Sequence, residues 1–143
     1  MRECKFRGKR VDNGEWVYGD LYRHDPPLQC VVPENYIPEQ TKNYILKTAF
    51  ADWNMPRQVE YIEVIPETIG QYTGMKDKNG KDIYEGHIVF FVPYGLSDNN
   101  RVVEWINGMF VAKLIRSGYA KPLCEFKQDD LEIIGNIHEG VTE

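Results

Sequence analysis

Three histidines, His24, His87 and His138, and three cysteines, Cys4, Cys30 and Cys124, are the side chains of this chain that could ligate a transition metal. A structural zinc site draws its ligands in closely spaced pairs, so that one turn presents two at once. No CxxC, HxH or HxxxH spacing occurs, and neither a metal nor another cofactor is expected. The histidines read instead as a loop residue, a turn residue and a strand-end residue. The two serines, Ser97 and Ser117, stand beside Asp98 and Gly118 in loop-like contexts, without the pattern of a nucleophile elbow. Asp129, Asp130 and Glu132 lead into an apolar run, where a solvated turn explains them more simply than general acid chemistry. The glycines at 70, 74, 80, 86, 95 and 108 form neither a GxGxxG nor a Walker loop. No catalytic residue is expected.

Binding chemistry is better represented. Arg2, Lys5, Arg7, Lys9 and Arg10 face Glu3 alone in the first ten residues. Such a run can contact phosphates. Charges alternating along an exposed edge strand also discourage edge-to-edge aggregation, and that reading is preferred. Phe90, Phe91, Tyr94, Trp105 and Phe110 could stack on the bases of a single strand. A small β-barrel also needs such rings for its core. Residues 68–143 moreover carry eight Lys/Arg against eleven Asp/Glu, where a phosphate binder is expected to be basic. A contact to protein is therefore expected before one to nucleic acid.

The elements that must position these residues are mostly strands. Phe6 and Gly8 alternate with Arg and Lys, Asp12-Asn13-Gly14 makes a turn, and Trp16, Tyr18 and Tyr22 return with period two. Residues 1–23 thus predict a β-hairpin. Leu28–Val32 predicts a short strand and Gln58–Ile65 another. Between them Pro33, Pro38 and Pro56 punctuate a segment that alternates poorly. Thr41–Trp53 has Tyr44, Ile45, Thr48 and Ala49 near helical spacing, which predicts a short helix or an irregular excursion.

The Pro66-Glu67-Thr68 corner is the expected boundary between an N-terminal subdomain, 1–67, and a second one, 68–143. Beyond it Ile69–Thr73, His87–Val92, Arg101–Ile106, Met109–Ile115 and Leu131–His138 read as strands. Asn79-Gly80 and Asn107-Gly108 supply tight turns. Gly70 and Gly135, in Ile-Gly-Gln and Ile-Gly-Asn, read as strand positions where another backbone comes close. The fold class expected is mainly β: a hairpin subdomain with an irregular or short helical insertion, then a small SH3-like β-barrel. The last strand, Leu131–His138, should pair within the barrel, because its apolar residues are wasted unless buried.

Two segments offer rings to a protein partner. Tyr36, Tyr44, Phe50 and Trp53 fall in the irregular 33–56 stretch, which has difficulty burying four large side chains by itself. Tyr94 and Leu96 sit in a long connection, Val92–Asn100, of the kind that is often functional. Interface centres favour Tyr, Trp and Phe. A homo-oligomer is expected, and a bacterial host protein is a further candidate partner.

The remaining composition narrows the class. Of 143 residues, 42% are hydrophobic and 13% aromatic, which supports a packed core without staples. The start, MRECKFRGKR, has no apolar h-region, so it does not read as a signal peptide. No run reaches the ~18–20 apolar residues of a membrane span. The three scattered cysteines then read as reduced, mostly buried thiols of a cytoplasmic protein.

Residues 69–92, IGQYTGMKDKNGKDIYEGHIVFFV, carry the most distinctive pattern. IGQYTG, KDKNGKDIYEG and HIV resemble the signature of the YopX-like proteins of bacteriophages and prophages. Arg2–Lys9 resembles that family's start, Gly14–Leu21 its second strand, and Glu132–Glu139 its close. The family usually reads Glu-Gly-Asp-Ile-Val, and here His87 replaces the aspartate. The resemblance implies a phage or prophage origin and a β-rich fold with an SH3-like C-terminal part. It implies no activity and no catalytic or binding residues.

Three functions follow in order. The first is a non-catalytic accessory protein acting through protein contacts. The second is a single-strand nucleic-acid binder using Arg2, Lys5, Arg7, Lys9 and Arg10 with the barrel rings. The third and weakest is a hydrolase without a recognisable motif.

Overall fold

The structure, a computed structural model, describes residues 1–26, 34, 40–48, 53, 58–94 and 99–141, with Tyr94 described by its backbone alone. Among these the fold is mainly β, as expected, with 3-10 turns and no α-helix. The chain divides into two units: Lys5–Ile69, and Met1–Cys4 with Gly70–Glu143.

The first unit is a four-stranded antiparallel sheet. Strands β1 (Phe6–Lys9) and β2 (Trp16–His24) form the expected hairpin. Its turn is locked by the Asn13 Oδ1 accepting the Glu15 N–H at 2.9 Å. Strands β3 (Lys42–Thr48) and β4 (Val59–Glu63) continue the sheet in the order β4-β3-β2-β1. The helical spacing read over Thr41–Trp53 is thus corrected for Lys42–Thr48, which is a strand. Tyr44, Ile45 and Leu46 find cross-strand partners on both sides, and tertiary pairing of β-branched and aromatic residues overrides a weak local period. The predicted strand at Leu28–Val32 lies outside the described residues.

Past β4 the chain bends back to β1. An isolated bridge joins Arg10 to Val64, Val11 N–H donates to Glu63 O at 3.1 Å, and Ile65 N–H donates to Lys9 O at 2.9 Å. These contacts close the four strands into a ring. Val17, Ile45 and Val64 fill it, with Phe6, Leu21, Ile62 and Ile69 packed around them. Gly8 faces Val64 so closely that a Cβ there would stand 2.9 Å from the Val64 Cβ.

The second unit begins with β5 (Gly70–Lys76) and β6 (Asp82–Tyr84), an antiparallel pair. A sheet follows from β7 (His87–Phe91), β8 (Asn100–Ile106), β9 (Met109–Leu114), β10 (Ala120–Pro122), β11 (Leu131–Asn136) and β12 (Gly140–Val141). Its order is β10-β9-β8-β7-β11-β12. The last apolar run therefore pairs with β7, between β7 and β12, as its hydrophobicity required. No described pairing joins β10 to β12, the two ends that a closed barrel would unite. Ile83, Val89, Val103, Ala112, Leu123, Phe126 and Leu131 form the core of this unit.

The predicted close approaches at the two strand glycines are present. A Cβ on Gly70 would lie 2.7 Å from Glu85 O, and one on Gly135 would collide with Gly140 O. Cys4 and Cys124 are free and both exposed, where buried thiols were expected. Both stand outside the apolar faces of the strands that build the two cores. No helix among the described residues is long and apolar enough to cross a membrane.

Candidate interaction surface

Alternation along the first unit's strands sorts its side chains into two faces. Val17, Leu21, Ile45 and Ile62 point into the core. Tyr18, Tyr22 and His24 on β2, Tyr44 and Leu46 on β3, and Tyr61 on β4 have the opposite parity. The register makes neighbours of them. Tyr22 stands directly opposite Tyr44, and Tyr61 opposite Leu46, diagonal to Tyr44. The rings of Tyr22, Tyr44 and Tyr61 form a triangle with every centroid separation 6.3 Å. Tyr61 meets both other rings edge-on, a favourable geometry for aromatic pairs. The Tyr22 hydroxyl lies 3.4 Å from His24 Nδ1.

The triangle is poorly covered by its own unit: Tyr22 is 42% exposed and Tyr61 65%. Rigid rings held in a fixed array lose little conformational entropy on docking, which suits them to a contact surface. Beyond Tyr22 the ends of β2 and β3 are tied together at Asp25. Its Oδ1 accepts from Thr41 Oγ1 at 3.0 Å and from Arg23 Nε at 3.1 Å. The Thr41 hydroxyl and then Arg23 hold the Asp25 carboxyl below the usual carboxylate range.

Beside Tyr61 lies a cleft of about 280 Å³, lined by Arg10, Val11, Asp12, Tyr61, Ile62 and Glu63. One wall is the Arg10–Asp12 pair, in which Nε and one terminal amine of the guanidinium each donate to a carboxylate oxygen, at 2.8 and 2.7 Å. This fork lowers the Asp12 pKa through the side-chain hydrogen bond.

The residues singled out from the sequence are distributed unevenly around this surface. Tyr44 is in the triangle. Trp53 is 90% exposed. Tyr36, Phe50, Leu96 and the side chain of Tyr94 lie outside the described residues. Of the basic run, Arg2 is exposed and Lys5, Lys9 and Arg10 are half-buried. Arg7 is only 3% exposed, with its guanidinium 4.3 Å from the centre of the Trp16 ring. The Lys9 amine lies over the same ring at 5.5 Å. Tyr22 was placed on an aromatic face by its period. Tyr61 was missed as a contact residue, although Val59, Tyr61 and Glu63 alternate with Glu60 and Ile62 and so mark one outward side of a strand.

The second unit holds a small polar arrangement of its own. Tyr84 N–H donates to His87 Nδ1 at 2.9 Å across the Glu85-Gly86 corner. A backbone N–H can only donate, so Nδ1 serves as the acceptor in this contact. Among the described residues no three His, Cys, Asp or Glu side chains are gathered as metal ligands.

A family model described as YopX protein matches residues 5–141. No curated protein matches the chain.

Proposed function

We propose, from the premise that this chain belongs to the YopX protein family, that it is a phage- or prophage-encoded accessory protein that acts through protein contact and not through catalysis. The observation that carries this reading is the triangle of Tyr22, Tyr44 and Tyr61, a preformed aromatic array on an outward sheet face. Interface centres concentrate such rings. The charges of the same parity nearly cancel: Arg7, Lys9 and Lys42 stand with Asp20 and Glu63. A face of that kind favours shape and ring packing over electrostatic capture.

Self-association through this face is the form proposed, in the cytoplasm of a bacterial host. Light scattering at micromolar concentration tests it. The expected result is a mass above that of one chain, falling to one chain in the Tyr22→Lys/Tyr61→Lys variant. A single-chain mass for the unaltered protein overturns it.

The nucleic-acid reading finds less support. Arg7 is buried against Trp16, Lys9 lies over the same ring, and Arg10 is held by Asp12, so at least three of the five cations are engaged locally. A salt-sensitive gel shift with random single strands would revive it.

A further inference from the structure

Among the described residues, the ring of strands in the first unit is not closed along its whole length. Val64 N–H donates inward to Asn43 O at 3.0 Å, so the main-chain groups of Val64, Ile62 and Glu60 are directed at β3. Those of Glu63, Tyr61 and Val59 are then directed away from it. Glu63 O is met there by Val11 N–H. Beyond that rung the opposing chain leaves, because Asp12-Asn13-Gly14 turns back into β2, with Gly14 N–H donating to Arg10 O at 3.0 Å. The outward main-chain groups of Tyr61 and Val59 face no described strand. The cleft of about 280 Å³ lies at this parting, between Arg10–Asp12 on one side and Tyr61–Glu63 on the other.

From this parting we infer that the outer edge of β4, at Val59–Ile62, takes an extended basic peptide as an added strand, seated in the cleft beside Tyr61. Strand addition uses the main-chain groups of an open edge for affinity and alternate side chains for specificity. Here the apolar contacts are Val11, Val59 and Tyr61, all exposed. Charge decides the partner. Asp12 and Glu63 line the cleft, and Glu60 and Glu15 lie close enough to act on the Arg10 charge. Among the described residues, Arg10 and Lys47, the latter opposite Glu60 on β3, stand against these four carboxylates. The excess is negative, and a peptide with Lys or Arg beside an apolar residue complements it.

A second copy of the chain is the less favourable occupant. Two β4 edges paired antiparallel would add four carboxylates against two cations and so double the negative excess along the shared edge, and like charges in facing strands repel. The inference rests on the reading of residues 5–69 as a protein-contact unit, but it concerns the strand edge and not the tyrosine face.

The test uses two fluorescent probes on the full chain, Lys-Val-Lys-Val-Lys and Glu-Val-Glu-Val-Glu, with anisotropy as the readout. The basic probe is expected to bind and the acidic one to fail. Amide exchange at Tyr61 should slow when the basic probe is bound. Glu60→Lys/Glu63→Lys should weaken the basic probe at least about tenfold, as loss of complementary charge at an interface does. Tyr61→Pro removes the outward N–H, leaves the β3 ladder intact on an edge strand, and should weaken it as well. Equal binding of the two probes, or unchanged exchange at Tyr61, overturns the inference. Protection of Tyr61 in the protein alone as its concentration rises also overturns it, in favour of a second copy. Self-association lost in Tyr22→Lys/Tyr61→Lys, with no probe bound to the unaltered chain, sinks this inference and leaves the contact reading standing. Probe binding by a single-chain protein does the reverse to the self-association reading.

Discussion

The Asp77 carboxylate and the Ile133 backbone N–H, 56 residues apart in the chain, meet at 3.2 Å. The other carboxylate oxygen accepts from Asn79 N–H and Lys81 N–H, each at 2.9 Å. Asp77 is wholly buried, and a buried carboxylate persists only when its lone pairs are occupied. Its main chain joins the same knot. Asp77 O accepts from Gln128 Nε2, and the neighbouring Lys78 N–H donates to Leu131 O. One residue thus folds the β5–β6 connection and fastens it to β11.

Replacing Asp77 with Ala should therefore be among the most damaging single changes in the second unit. It strips an acceptor from three N–H groups and leaves a void, at a cost of about 3 kcal/mol or more. Urea unfolding should show a lower midpoint with little change in slope. A midpoint within experimental error of the parent would refute the role given to this carboxylate.

Gly80 closes the same connection with φ at 80°. Nothing lies within 4 Å of where its Cβ would stand, so a substitution there is a test of backbone conformation and not of space. Gly80→Val should cost about 1 kcal/mol or more, because a β-branched residue resists positive φ. Gly80→Asn should cost less, since Asn tolerates that region. Equal midpoints for the two variants would sink the argument.

The His87 ring takes over an acceptor task that a short carboxylate can also perform, receiving the Tyr84 N–H at 2.9 Å. His87→Asp is expected to keep the corner, with a stability within about 1 kcal/mol of the parent. His87→Leu leaves that N–H without its acceptor and should cost about 1–3 kcal/mol. The ordering of the two variants in thermal or urea unfolding checks this, and Leu at least as stable as Asp contradicts it.

Burial raises the Glu85 carboxyl above the ordinary glutamate range, opposed in part by the hydrogen bond from Gln71 N–H. A raised pKa means that the folded state binds the proton more tightly than the unfolded state. The associated stability is complete below the ordinary glutamate value of about 4.3 and is lost as pH rises through the higher folded value. Glu85→Gln keeps an oxygen for the Gln71 N–H, 3.0 Å from the present carboxylate oxygen, and carries no charge to desolvate. Its stability relative to the parent should therefore rise between pH 4 and pH 7. Paired urea midpoints at the two pH values measure that difference. A difference that is flat, or reversed in sign, would dismiss the desolvation account.

Much of the fold was legible because strands and turns are written locally. Alternation marked β1, β2, β4 and most strands of the second unit, and Asn79-Gly80 and Asn107-Gly108 fell at tight turns with positive φ. The apolar run from Leu131 announced a strand that must pair. Strand β3 was not legible. Its Tyr44, Ile45 and Leu46 have a mixed period, and only the partners on β2 and β4 decide between helix and strand.

The sequence by itself determined the class of the protein, its tight turns, and the absence of any motif for metal or nucleophilic chemistry, because these depend on residue type and short spacing. The tertiary structure alone decided which tyrosines meet. Tyr22, Tyr44 and Tyr61 come from three strands, and their ring separations depend on strand register, a long-range property that no local period encodes. It alone buried Arg7 within the charged start of the chain, because the β1–β2 pairing lays that guanidinium over Trp16. It alone ended the described pairing of the outer β4 edge beside Tyr61, because the closing rung at Val11 and Glu63 stops where the first turn begins.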